Sequence, residues 1–421
     1  MKGGRMTKTV VVIGAGVVGV SAALRLQSEL APTGGQVILL DRKGVAEETS
    51  AGNAGAFAFT DLEPLATPGI MKKAPAWLLD PLGPLSVPPA YALQLTPWLI
   101  RFWRASWRDR YQKVVSAQAS LMQLAQAATE RLITDTKGEA MMQRDGALQL
   151  YESEGEFAAS QRGWQLRRDH GIRFTLLHSP AEIAEIQPGL SPRFTHAGFT
   201  PDWMNTCDPK AWVEHLFQIF MARGGQLRRA EVRDLETGGE DLCLLTDGES
   251  VRADNVVVAA GAWSHHLTRR LGDRLPLETE RGYNTTLPAG CFDLRTHITF
   301  CRHGFVVSRI RGGVRVGGAV ELGGLKRPAN FKRADTLLAK AARFMPELDT
   351  ADGTRWMGFR PSLPDSLPVI GNAKSDARVV YAFGHGHVGL TQSAATAELV
   401  ADLVLRRDPA IDLAPFAPDR F

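Results

Sequence analysis

Cysteine is scarce in this sequence: Cys207, Cys243, Cys291 and Cys301 are the only four in 421 residues, and no two form a CxxC pair. That spacing excludes a disulfide-stapled scaffold and a thiolate zinc finger, and it suits packing thiols in a reducing compartment. An excess of one charge is also lacking, with 49 Lys and Arg against 45 Asp and Glu, a formal net of +4. Without a basic tail or a Lys/Arg block, nucleic acid is excluded as a partner. No apolar run is long enough to span a bilayer. Residues 9–26, preceded by Lys8, have the hydropathy of a signal peptide but are followed by no cleavage-site pattern. Cytoplasmic placement is therefore expected, with no metal site.

What is present is an ordinary globular composition, 44% hydrophobic and 22% charged. The length suggests two domains, and the mild positive balance suits an anionic cofactor or a carboxylate substrate. The chain opens with TVVVIGAGVVGVSAALRLQ. Its β-branched run predicts a buried parallel strand over 9–13, followed by Gly14, Gly16 and Gly19 at GxGxxG spacing and then a helical pattern. A second strand over 36–40 ends on Asp41, 22 residues beyond Gly19. This is the β-α-β dinucleotide fingerprint, and it is specific because strand, helix and acid all fall in place. Gly14 permits the tight turn, Gly16 lets the backbone approach a pyrophosphate, and Gly19 lets the helix pack on the strand. Asp41 then accepts from ribose hydroxyls.

Further along, proline and tryptophan density over 64–107 breaks the pattern and reads as an excursion from the cofactor core. Helices are predicted over 114–132, 156–170 and 180–187, and strands over 147–151 and 226–229. Asp208-Pro209 opens another helix, the acid as N-cap and the proline at the first helical position. VVVAAGAWS at 256–264 predicts a cofactor-domain strand. FVVSRI, RGG and VRVGGAV predict a hairpin within a second excursion, 277–346. A last strand over 379–383 precedes GHGHVGLTQS and a helix to about residue 405. Cofactor-type segments thus occur at the start, middle and end of the chain.

Four ordered blocks, ETSAGNAG (48–55), VVVAAGAWS (256–264), GFRPSLPDSLPVIG (358–371) and FGHGHVGLTQS (383–393), resemble the D-amino-acid oxidase superfamily of FAD-dependent oxidoreductases. RGYN (281–284), RVGGAVE (315–321) and GHGHVGL (384–390) bring the chain nearest to its bacterial D-amino-acid dehydrogenase branch. The resemblance implies an α/β fold, with a glutathione-reductase-like Rossmann FAD domain over 1–60, 205–276 and 350–421. A discontinuous substrate domain, a mixed β-sheet with helices, would cover 61–204 and 277–349. It implies FAD beside Gly14, Ala15, Gly16, Val17, Val18, Gly19, Asp41 and Arg42, with Thr49, Ser50, Asn53, Ala54 and Gly55 near pyrophosphate and flavin. Val232 would meet the adenine, Ala260 and Gly261 would pass close to the cofactor, and Gly384, Gly386, His387, Val388, Gly389 and Leu390 would line the flavin. The implied reaction is oxidative deamination of a D-amino acid, with hydride passing from Cα to flavin N5 and electrons going on to a quinone or another respiratory acceptor.

Three residues are expected at the substrate. Arg360, in the GFRP context, would hold the carboxylate in a two-point contact. Tyr283 and His303 would border the pocket, as would Gly317 and Gly318, whereas Arg281 reads as a structural or surface arginine. His385 and His387 read as parts of a glycine-rich loop folded against flavin. Trp203 and Met204, in DWMNTCD, depart from the more polar segment of the branch, which opens the alternative of a cyclic or N-alkyl amine such as a proline derivative, sarcosine or glycine. Residues 98–108 read as a basic amphipathic helix, with Arg101, Arg104 and Arg108 on one side. That face suits peripheral contact with the inner surface of a membrane, and its aromatic side equally suits packing on the protein's own core.

Overall fold

The computed structural model describes residues 8–70 and 85–421, so part of the 64–107 stretch lies outside the described residues. The cofactor-type segments assemble into one six-stranded sheet. Its order is Gln226–Arg229, Gln36–Asp41, Thr9–Ile13, Asn255–Val258, Val379–Phe383 and Val369–Asn372. All neighbours run parallel except the last pair. Alternation along the strands explains why they are apolar throughout. Val10, Val12, Val37 and Leu39 face a core shared with helices Val17–Leu30 and Gly389–Leu405. Val11, Ile13, Ile38 and Leu40 face a three-stranded antiparallel sheet of Val232–Glu236, Leu242–Thr246 and Val251–Ala253. A strand covered on both faces has no polar side to show.

A nine-stranded mixed sheet forms the other layer. Its long strands Glu278–Leu287 and Gly313–Leu322 pair antiparallel, with Thr354–Ser362 on the outer edge. Phe300, Phe305 and Phe344 pack together beneath it, Phe344 arriving on helix Lys332–Phe344. The predicted hairpin is present, with Arg311 and Gly312 turning at φ 53 and 78 between Phe305–Ile310 and Gly313–Leu322. Asp208 caps helix Pro209–Ala222, accepting from the Lys210 and Ala211 amides. Strand Thr354–Ser362 pairs with Glu278–Leu287 in the mixed sheet, and the next strand, Val369–Asn372, returns the chain to the six-stranded one.

The predicted helix over 98–108 is two helices, Pro89–Ala105 and Arg108–Thr136, with Trp107 extended between them at φ −73 and ψ 145. Ser106 makes the break, its hydroxyl donating 2.7 Å to the Trp103 carbonyl. Trp98 is buried beside Leu95 and Leu322 and stacks on Phe102. Trp103 and Trp107 remain 47% and 45% exposed on the face that also carries Leu93 and Ile100. No helix among the described residues is long and apolar enough to cross a membrane. Removing Trp98 with Trp98→Ala is expected to cost about 3–5 kcal/mol of unfolding free energy. The Trp103→Ser/Trp107→Ser double change should stay within about 1 kcal/mol. Urea unfolding distinguishes these, and a double variant as unstable as Trp98→Ala would show that the two exposed rings are core.

Candidate active site

A cavity of about 510 Å³ opens at the carboxyl ends of the parallel strands, where Gly14, Asp41, Ala260 and Phe383 leave the sheet. Three close approaches shape it. Gly14, at φ 106, turns so tightly over the third segment that a Cβ there would lie 2.4 Å from the Ala259 carbonyl oxygen. A Cβ at Gly19 would lie 1.8 Å from the Gly14 carbonyl oxygen, so the helix can back onto the turn only through glycine. Gly16 differs: its missing Cβ would meet only the Ser50 hydroxyl, at 3.2 Å, and its amide plane is open to the cavity. Helices Val17–Leu30 and Gly389–Leu405 both begin at this cavity, and neither carries an acid in its first turn. Their free N–H groups and dipoles therefore favour an anion there. Asp41 is aimed by three amides: Ala15 N donates 2.8 Å to one oxygen, and Lys43 N and Gly44 N donate 2.7 and 2.9 Å to the other.

A second cavity of about 390 Å³ abuts the first, and Thr49, Asn53, His385 and Gly386 line both. The turn Thr49–Gly52 stands between them and is tied to the mixed sheet. Thr49 donates 2.7 Å to the Phe359 carbonyl, Asn284 donates 2.9 Å to the Gly52 carbonyl, and Arg315 donates to the carbonyls of Ala51 and Asn53. Trp356 lies flat across Gly52, its ring 2.2 Å from where a Cβ would stand.

Of the expected cofactor residues, all but three line one of the two cavities. Ala15, Gly19 and Gly55 stand behind the wall instead. Ala15 holds Asp41, Gly19 packs on Gly14, and Gly55 is pressed against Thr206, whose amide donates 2.7 Å to its carbonyl.

Arg360 lies in the second cavity, half-buried, with its guanidinium over Gly282, where a Cβ would fall 2.3 Å from the guanidinium carbon. Its Nη1 donates 3.1 Å to the Ala319 carbonyl. That carbonyl is turned out by a bulge opposite Arg281 and Tyr283, with Ala319 at φ 55. Among the described residues no carboxylate comes within 4 Å of Arg360, the nearest charge being its cross-strand neighbour Glu280. Burial pulls the Arg360 pKa down and Glu280 partly restores it. Glu280 is itself buried and accepts from His387 Nε2 at 2.5 Å. Burial acts to raise the Glu280 pKa, but His387 and Arg360 outweigh it and hold the carboxyl below its usual range. His385 is buried and neutral, its pKa depressed to about 3 by desolvation, with Nε2 2.9 Å from the Thr396 hydroxyl.

The two other expected pocket residues differ in placement. Tyr283 borders the second cavity, but its hydroxyl donates to Glu321 and accepts from the Asn330 amide at 3.1 Å. Successive strand residues point to opposite faces, so with Gly282 under Arg360 the Tyr283 ring goes to the other side. His303 is outside the cavity altogether. The short helical turn Cys301–His303 directs its ring to Glu152, 2.7 Å away, and leaves Gly304 at the cavity. Gly317 and Gly318 do border it, and Arg281 is structural, fully buried and 3.0 Å from Glu321. Trp203 forms part of the wall beside His297, while Met204 faces the core of the other layer. Sequence reasoning missed Glu280, Gly282, Arg315 and Trp356. Only the paired strands bring these residues to the site, and no local spacing announces them.

Comparison with known proteins accords with this geometry. The family model described as DAO, FAD dependent oxidoreductase, matches residues 9–403. The chain is 37% identical over 420 residues to a protein named D-amino-acid oxidase from Bradyrhizobium diazoefficiens, covering 98% of each chain. It is 30% identical over 424 residues to a D-amino acid dehydrogenase of Rhizobium johnstonii, covering 98% of this chain and 99% of that one. In fold it is similar to glycine oxidase from Geobacillus kaustophilus, with a TM-score of 0.80 at 22% identity over 99% of this chain and 100% of that one. The first cavity fits FAD: two helix N-termini stand ready for the pyrophosphate and the flavin edge, and Asp41 is held for a ribose. Gly16 has an ordinary φ of −75, so valine is sterically allowed by the backbone but projects into the cavity. Gly16→Val protein is expected to fold and to lose its FAD, read as flavin absorbance per chain. A folded variant with full FAD would refute the placement of the pyrophosphate.

Proposed function

Because the chain belongs to the DAO family of FAD-dependent oxidoreductases, we propose that it oxidises the carbon–nitrogen bond of a D-amino acid to the imino acid, which water converts to the 2-oxo acid. The observation that carries this reading is Arg360, a half-buried cation that lines the second cavity with one carbonyl as its partner. A guanidinium with most of its donors unused is complementary to a carboxylate, which it meets with two parallel charge-assisted hydrogen bonds. FAD, when bound, takes up the hydrogen and the two electrons removed from the substrate. The protein's own part is placement: Arg360 fixes one end of the substrate, and the turn Thr49–Gly52 and the loop at Gly384–Val388 bring the cofactor cavity against it. Pro361 keeps Arg360 extended, which helps to hold the direction of its side chain. Holding the carboxylate orients Cα, so the contact acts on rate as well as affinity.

The D configuration is supported by the names of both relatives, and electron delivery to a quinone or similar acceptor by the name of the second. The exposed face of Leu93, Ile100, Trp103 and Trp107 supports delivery at a membrane surface. The 37% identical relative named an oxidase favours oxygen as the alternative acceptor. Trp203 in the cavity wall favours testing cyclic and N-alkyl amines beside the primary ones. A panel of D- and L-amino acids, prolines, sarcosine and glycine, read by anaerobic bleaching of the flavin with and without a quinone, is the direct test. Arg360→Lys keeps charge but loses the fork, and is expected to lower kcat/KM by about 2–4 kcal/mol with normal FAD content. Near-native kcat/KM in Arg360→Ala would remove the proposed pose.

A further inference from the structure

Resting on the amino-acid reading above, we propose that His387 is the base that takes the substrate's ammonium proton, with Glu280 as its positioning partner. An amino acid in neutral water carries its nitrogen as ammonium, whereas oxidation of the carbon–nitrogen bond draws on the free amine. A proton must therefore leave first. The step is proton transfer alone: a substrate N–H bond breaks, its electron pair stays on nitrogen as the lone pair, and the proton bonds to His387 Nδ1. No electrons change hands.

The geometry assigns the tautomer. Glu280 is buried, and with its pKa held down it is an acceptor only, so His387 Nε2, at 2.5 Å, must carry the hydrogen between them. Nδ1 then presents a lone pair, and it has no hydrogen-bond partner among the described residues. The ring is 36% exposed and lines the cavity that holds Arg360. A carboxylate behind one ring nitrogen, fixing the other as acceptor, is the arrangement of an oriented general base.

The charges around the ring tie its basicity to substrate. Glu280 touches His387, and Arg360, its cross-strand neighbour of opposite sign, lines the same cavity. A carboxylate arriving on Arg360 adds one negative charge and raises the affinity of Nδ1 for a proton as the ammonium comes within reach. The other charged groups of the cavity have their own partners. Asp61 pairs with Arg167 at 3.1 Å, Glu63 accepts from Tyr111 at 2.8 Å, and Arg315 is bound to the turn carbonyls.

The experiment is anaerobic flavin reduction by an amino acid that reduces the wild-type holoenzyme, followed across pH in wild type, His387→Gln and Glu280→Gln. In wild type the rate should stay level well below the ammonium pKa of the free amino acid and fall only along an acid limb. His387→Gln must wait for free amine, so its rate should climb tenfold per pH unit up to the ammonium pKa of the free amino acid. It should be about 100-fold slower at pH 7 and converge on wild type above that pKa. Glu280→Gln removes a negative neighbour, lowers the basicity of His387 and should move the acid limb to lower pH. Independently of turnover, binding of propionate, a carboxylate without an amine, should draw a proton into wild type but not into His387→Gln. Calorimetry in buffers of different ionisation heat reads this uptake. A His387→Gln profile parallel to wild type, or slowed equally at all pH, overturns the proposal. If that variant loses FAD, an unmoved acid limb in Glu280→Gln overturns it. A wild type bleached by no amino acid overturns the amino-acid reading instead, and proton uptake with propionate then still judges His387.

Discussion

Gly14, Gly19 and Ala259 meet at distances that no side chain beyond the existing methyl can share, and much of the molecule follows from that contact. Because Gly19 lets helix Val17–Leu30 lie directly on the turn, the helix runs close under the sheet and its N-terminus points into the cavity. Because Gly14 turns over Ala259, the loop after Asn255–Val258 is drawn up to form the opposite wall. Ala15, held between them, spends its amide on Asp41 and so sets the direction of the carboxylate at the next strand end. A packing constraint of a few atoms thereby sets the donors and acceptors that an anionic dinucleotide would meet.

One turn ties the second layer to the first at the junction of the two cavities. Thr49, Asn284 and Arg315 bind the carbonyls and hydroxyl of the 49–53 segment to strands of the mixed sheet, and Trp356 covers Gly52. Buried backbone carbonyls need partners, and here the partners come from the sheet that also carries Arg360. The cofactor wall and the substrate wall are consequently one structure. A change in the register of Thr354–Ser362 would displace both.

Two arginines on adjacent strands show how charge pairing distinguishes structure from function. Arg281 is paired with Glu321, capped by loop carbonyls and backed by Tyr283, so its charge is satisfied within the protein. Arg360, on the opposite face, has a single carbonyl and a like-sized cavity before it. A half-buried cation whose only nearby counter-charge, Glu280, is itself bound to His387 keeps donors free for a ligand, which is the physical reason for proposing that the substrate carboxylate binds there.

Local pattern was sufficient for the elements. The strand Thr9–Ile13, the glycine turn, the helix after it, Asp41 and the capped helix at Asp208 all follow from periodicity and short-range chemistry. Resemblance brought Arg360 and the loop at 384–390 to notice, and the cavities contain both. His303 lies outside the cavity because proximity in sequence to a motif says nothing about which way a three-residue turn sends a side chain, whereas Tyr283 borders it with its hydroxyl turned to Glu321. The pattern over 98–108 continued past the end of one helix into the next because amphipathic spacing does not register the extended backbone at Trp107 between them. Glu280, Gly282, Arg315 and Trp356 were beyond reach for a common reason. Each matters only through a partner more than 35 residues away, and register, burial and charge compensation are properties of the assembled sheets alone.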